Sequence, residues 1–182
     1  MIKKIILTFA VLLSAFSISH ADNKQRKADR DTQNWDYEVE TLSKNKTGAY
    51  ILKVWSFSKN PNVAEEQGKK NAVHAVVFKG IPDGTGTIRT PGIKALIPGT
   101  LSSDDEFFKD FFAEGGDYLR FVSVSNSGFS DVIKLQKKKR DGTDKKSVYK
   151  FKVGLTLIVD VPALRKYLEN NGKIQSLSAG FN

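Results

Sequence analysis

Catalysis on this chain would have to be built from His20, His74 and the carboxylates, because none of the 182 residues is a cysteine. That absence removes a thiol nucleophile, a CxxC redox pair, a cysteine zinc site, a disulfide framework and a lipid-anchored N-terminal cysteine together. A Ser-His-Asp arrangement would rest on His74. This residue lies in the apolar stretch AVHAVVF (72–78), where a histidine packed into a helix interface is the expected state. No HExxH or paired-histidine spacing is present, so no zinc ligand set is expected. Glycosidase chemistry needs two carboxylates facing each other across a cleft. Asp104, Asp105 and Glu106 instead sit together at a helix start, where capping and the helix dipole account for them. Asp36, Glu38 and Glu40 line one face of a strand. The run Asp83-Gly84-Thr85-Gly86-Thr87 lacks the GxxxxGK[ST] pattern of a phosphate loop. The sequence therefore assigns no catalytic, cofactor-binding or metal-ligating residue and no cofactor, and a carboxylate hydrolase is the weakest of the functional readings.

The residues with most physical weight are cationic. Between 134 and 152 there are nine bases (Lys134, Lys137, Lys138, Lys139, Arg140, Lys145, Lys146, Lys150, Lys152) and two acids (Asp141, Asp144), a net charge of +7. Such a concentrated field attracts polyanions, for which acidic glycans and lipopolysaccharide phosphate are the expected candidates. Lysine-rich hairpins also shield edge strands and keep proteins soluble. Aromatic residues interleaved with the bases would favour nucleic acid, but only Tyr149 and Phe151 are near and both belong to the apolar side of a strand.

The elements that must position these residues read as follows. Trp35, Tyr37 and Val39 alternate with Asp36, Glu38 and Glu40 as a half-buried strand, and AYILKVWSFS (49–58) returns as an inner strand after the turn Asn45-Lys46-Thr47-Gly48. A helix is expected from 63 to 79, after Asn60-Pro61-Asn62 and up to Gly80. Ala64, Gly68, Ala72 and Ala75 form a small-residue stripe that lets its backbone approach a sheet. Residues 80–99 hold five of the 14 glycines and three of the five prolines and read as an irregular loop. Ser103 and Glu106 form a capping box for a helix whose face is Phe107, Phe108, Phe111 and Phe112, with Gly115-Gly116 after it. DYLRFVSVSNSG (117–128) alternates as a strand and turns, DVIKLQ is a weaker segment after it, and Asp141-Gly142 marks a hairpin turn. In the return strand Tyr149, Phe151, Val153, Leu155, Leu157 and Val159 share one face. Asp160 and Pro162 then start a short helix with Leu164, Tyr167 and Leu168 on one side, ended by Asn170-Asn171-Gly172. The order predicts an α+β fold: an antiparallel or mixed sheet of about five strands, with two main helices and a short C-terminal helix packed mainly on one face.

The amino end carries Lys3 and Lys4, an apolar run from Ile5 to Ile18, and Ser19-His20-Ala21. These features predict a cleavable signal peptide over 1–21 and a periplasmic or secreted protein. Cleavage removes two lysines, His20 and no acid, leaving 27 bases, 20 acids and a net charge of +7. That charge equals the charge of the 134–152 segment. Residues 22–34 predict a disordered polar leader, and 35–182 a single domain with no later stretch long enough to span a bilayer. Ile174, Leu177 and Phe181 have an apolar spacing that predicts a docked tail.

The stretches LKVWSFS, AEEQGKKNAVHAVVFKG, DYLRFVSVSNSG and YKFKVGLTLIVDVPALRKYLENNGKIQSLSAGF resemble an uncharacterised family of small exported bacterial envelope proteins. The strand followed by an alanine-rich, close-packing helix is also similar to the amino-terminal domain of the Tol-system propeller protein and to curli-secretion lipoprotein modules. This chain departs from the lipoproteins by lacking their anchor cysteine. The resemblance implies a protein partner in the envelope and transfers no catalytic residues. The expected function is a non-enzymatic protein-binding or assembly module, using a sheet edge, the 81–99 loop or the tail, with polyanion or glycan binding through 134–152 as the alternative.

Overall fold

Alternation of apolar and charged residues makes β1 (Tyr37–Lys44), and a run of aromatic and β-branched residues makes β2 (Tyr50–Ser58). The turn between them is closed by Asn45, whose side chain accepts from Ala49 N at 2.8 Å, with Gly48 at φ 91°. A computed structural model describes residues 26–28, 30, 32, 35–86, 89–97, 105–125, 131–135 and 151–176. Residues 1–21, expected to form a signal peptide, and the tail residues Leu177 and Phe181 lie outside them.

The expected first helix is present but changes pitch. A 3-10 turn (Pro61–Val63) leads into α1 (Ala64–His74), and Ala75–Lys79 continue as a π-helical turn ending at Gly80, φ 77°. Two carbonyls of the widened turn are taken by the following loop: Leu96 N donates to Val76 O at 3.1 Å and Ile97 N to Val77 O at 2.9 Å. Within the same loop Ile81 and Ile93 form a backbone bridge. Gly92 packs so closely on it that a Cβ would lie 2.3 Å from Ile81 O.

The second helix, α2 (Glu106–Phe111), is capped by Asp105, which accepts from Phe107 N at 3.0 Å. Asp105 is therefore the N-cap, one residue outside the first turn in which the sequence places it. Ser103 of the expected capping box and Asp104 lie outside the described residues.

Where the sequence predicts a strand and a turn over 117–128, Asp117–Phe121 form a 3-10 turn, and among the described residues of this stretch Val122–Val124 are strand β3. Tyr118 and Phe121, three apart, both point into the core, and a 3-10 turn brings residues of that spacing to one side. Strand β4 (Asp131–Lys134) and strand β5 (Phe151–Val159) follow, then α3 (Val161–Asn170), whose N-cap Asp160 accepts from Ala163 N at 3.0 Å as the sequence predicts.

These strands form an antiparallel sheet in the order β1-β2-β5-β3, with β4 lying beside β3 along the same edge of β5. The α+β class and the element order match the sequence reading. Register separates two faces. Tyr37, Leu52, Val54, Leu155, Leu157 and Val159 belong to the inner face and to one core cluster with α1, the aromatic residues of α2, Tyr118, Phe121 and α3. Gly68 explains the close seating of α1, since a Cβ there would stand 3.2 Å from Leu155 Cδ2. None of Ile51, Trp55, Phe57 and Ile158 on the outer face belongs to that cluster.

Where the sequence predicts a disordered leader, residues 26–28, 30 and 32 are helical and Ala28 and Thr32 are buried. Thr32 Oγ1 donates to Ala28 O at 2.8 Å, and Trp35 N to Thr32 O at 2.8 Å. Trp35 precedes β1 at φ 48° and so is not its first strand residue.

Candidate functional site

The one histidine among the described residues is a structural group. His74 is buried at the end of α1, stacked on Trp35 with ring centroids 3.6 Å apart, and its Nδ1 lies 2.7 Å from Tyr37 Oη. Burial lowers its pKa to about 3, and Lys79 and Lys70 add to the effect. Burial also pushes the Tyr37 phenol up, so both groups are neutral at pH 7. Lys79 closes the arrangement by donating to Trp35 O at 2.9 Å and lying over the Tyr37 ring. His74 thus anchors Trp35 and the start of β1 to the domain.

The carboxylates likewise have structural work. Asp83 accepts from Gly92 N at 2.8 Å and from Arg89 at 2.6 Å, and these bonds, the backbone one foremost, hold its carboxyl below the usual range. Asp83 therefore closes the glycine-rich loop on itself. Asp117 accepts from Tyr167 Oη at 2.6 Å, which lowers the acid; burial and that bond raise the phenol to about 12. Among the described residues no group of three His, Cys, Asp or Glu could hold a metal ion. No helix among them is long and apolar enough to cross a membrane.

The outer sheet face is built differently. Trp55 lies over Gly154 of the next strand, where a Cβ would stand 2.7 Å from Trp55 Cζ3. Its Nε1 donates to Glu40 Oε1 at 2.7 Å. Lys53 and Lys152 hold their ammonium groups 4.6 and 4.9 Å from the indole centroid. Each lysine is itself paired, Lys152 with Glu38 at 2.6 Å and Lys53 with Asp131. Four strands are thereby tied together across the face around one indole. Gly154→Val is expected to lift the indole off β5 and weaken the fold by about 1–3 kcal/mol. Tryptophan emission and urea unfolding check this; unchanged emission and stability would contradict the packing.

Beyond Asp131 the face ends at β4, an edge strand in which all four residues are exposed. Ile133 pairs with Lys152 on the outer face and Val132 with Val153 on the inner one, yet they are 46 % and 50 % exposed. No described strand pairs with the far side of β4.

Of the nine bases singled out in the sequence, only Lys134 and Lys152 are described. Lys134 pairs with Phe151 and Ile133 with Lys152, so the two lysines project from opposite faces of the sheet and are not brought together. Lys137, Lys138, Lys139, Arg140, Lys145, Lys146 and Lys150, and the expected turn Asp141-Gly142, lie outside the described residues. Sequence reasoning missed the Trp55–Gly154 contact and the exposure of Val132 and Ile133. A glycine inside a clear strand marks a close approach and was a usable signal for the first.

No family model, curated protein or solved structure matches the chain.

Proposed function

We propose that this chain is an exported, non-enzymatic protein-binding or assembly module of the bacterial envelope. The observation that carries the reading is the outer sheet face: an aromatic surface fixed by compensated ion pairs, outside the core cluster, and continuous with an apolar edge strand. Such a surface is arranged for recognition, since its charged groups are engaged with one another and its exposed apolar groups are not needed for the core. In the loop after the first helix, the backbone of Leu96 and Ile97 is used to close the π-helical turn. The tail beyond 176 is undescribed, and among the described residues the exposed large apolar side chains, Leu42, Val132 and Ile133, lie on the sheet edges.

Affinity capture from the native envelope tests the reading at low and high salt, beside a variant with Lys137, Lys138, Lys139 and Arg140 changed to glutamine. A specific protein retained at high salt is the expected result. Salt-sensitive capture of glycan or lipopolysaccharide by the unaltered form alone would replace the reading with polyanion binding.

A further inference from the structure

Resting on that reading, we propose that β4 is an addition site for an extended segment of the partner, and that this segment carries apolar residues flanked by aspartate or glutamate. The two sheet edges differ in how they are protected. Along β1 the register breaks between Thr41 and Ser43, Thr41 Oγ1 donates to Pro82 O at 2.6 Å, and Gly84 packs against Thr41 O. Glu38 and Glu40 add charge beside that edge. A bulge, a covering loop and charges are the devices by which edge strands resist further pairing. β4 has neither a register break with β5 nor a described covering segment, and it offers Val132 on one face and Ile133 on the other. An added strand would receive backbone hydrogen bonds from the side on which no described strand pairs, and place consecutive apolar residues against these two.

Charge decides the occupant. The ion pairs of Lys53 and Lys152 are satisfied within the domain. Lys134, exposed at the end of β4, pairs with no acid among the described residues, and the sequence from 134 to 152 carries nine bases against two acids. A second copy of this chain would bring a second exposed Lys134 and the same excess of bases in sequence, which opposes self-pairing. An acidic strand is attracted, and backbone pairing then fixes its register.

The test uses the chain without residues 1–21 and three labelled probes: a short valine-threonine peptide flanked by glutamates, the same peptide with a central proline, and polyphosphate. The acidic strand peptide is expected to bind and to slow amide exchange at 131–134. The proline peptide, which cannot complete the ladder, is expected to bind about tenfold or more weakly. Changing Val132 and Ile133 together to threonine keeps strand propensity and charge, and should weaken the strand peptide by a similar factor with thermal unfolding unchanged. Equal binding of the two peptides, displacement by polyphosphate with no protection at 131–134, or no peptide binding would each overturn the proposal. If envelope capture still retains a specific protein with the threonine variant, the protein-binding reading survives and the β4 site alone fails.

Discussion

Taking the protein from pH 7 to pH 4 is expected to weaken the folded state by about 3 kcal/mol through His74 alone. His74 is neutral in both states above its ordinary pKa of 6.5, whereas burial holds it down to about 3 in the folded chain. Between those two values the unfolded chain binds a proton that the folded chain does not. Stability is therefore full above 6.5 and falls as the pH drops toward 3. The cause is geometric: protonation would place a charge against the Trp35 ring and beside the ammonium groups of Lys70 and Lys79, with Tyr37 the hydrogen-bond partner at 2.7 Å. Asp83 and Asp117, whose carboxyls are held low, lose their contribution at lower pH, as the pH falls below the ordinary aspartate value of 3.8. Urea unfolding at pH 7, 6, 5 and 4 measures the slope. His74→Gln is expected to flatten it above pH 4.5; an unchanged slope in the variant would place the proton elsewhere.

Phe108→Ala is expected to cost about 3–5 kcal/mol, a large part of the stability of a domain this size. Phe108 is fully buried on α2. Its ring meets Phe78 at 4.9 Å and Phe107 at 5.0 Å, both edge to face, with Phe111 and Phe112 just beyond. Phe78 belongs to the π-helical turn, so the cavity would open between that turn and α2. Phe107 is half-buried, and Phe107→Ala should cost clearly less. Equal losses for the two variants, measured by denaturant unfolding, would contradict this packing.

Features of the fold that local chemistry decides were legible in the sequence. The alternation of β5, the Asp160 cap of α3 and the small-residue stripe of α1 each depend on neighbours within a few positions. The alternation of Asp117–Phe121 fits a strand, while packing of Tyr118 and Phe121 against Phe111 of α2 selects a 3-10 turn. Trp35 continues the period of β1, but stacking on His74 from α1 pulls it into the left-handed region. For the candidate site the limit was register. Trp55 and Gly154 are 99 positions apart in the chain, and their contact exists only because β2 pairs with β5 in one alignment. Val132 and Ile133 are exposed because β4 is at the sheet edge, a position set by its pairing with β5. The basic segment was visible at once as charge, whereas the opposite directions of Lys134 and Lys152 follow from the β4–β5 pairing.

The most direct measurement is photo-crosslinking in the native envelope from a reactive side chain placed at 132, compared with one at 42. Leu42 is also exposed, at 43 %, but it lies in the irregular stretch of the protected β1 edge. One discrete protein adduct from position 132, none from position 42, and persistence of the adduct at high salt are expected. Adducts of equal yield from both positions, or crosslinking from 132 to glycan or lipopolysaccharide alone, would contradict the β4 site.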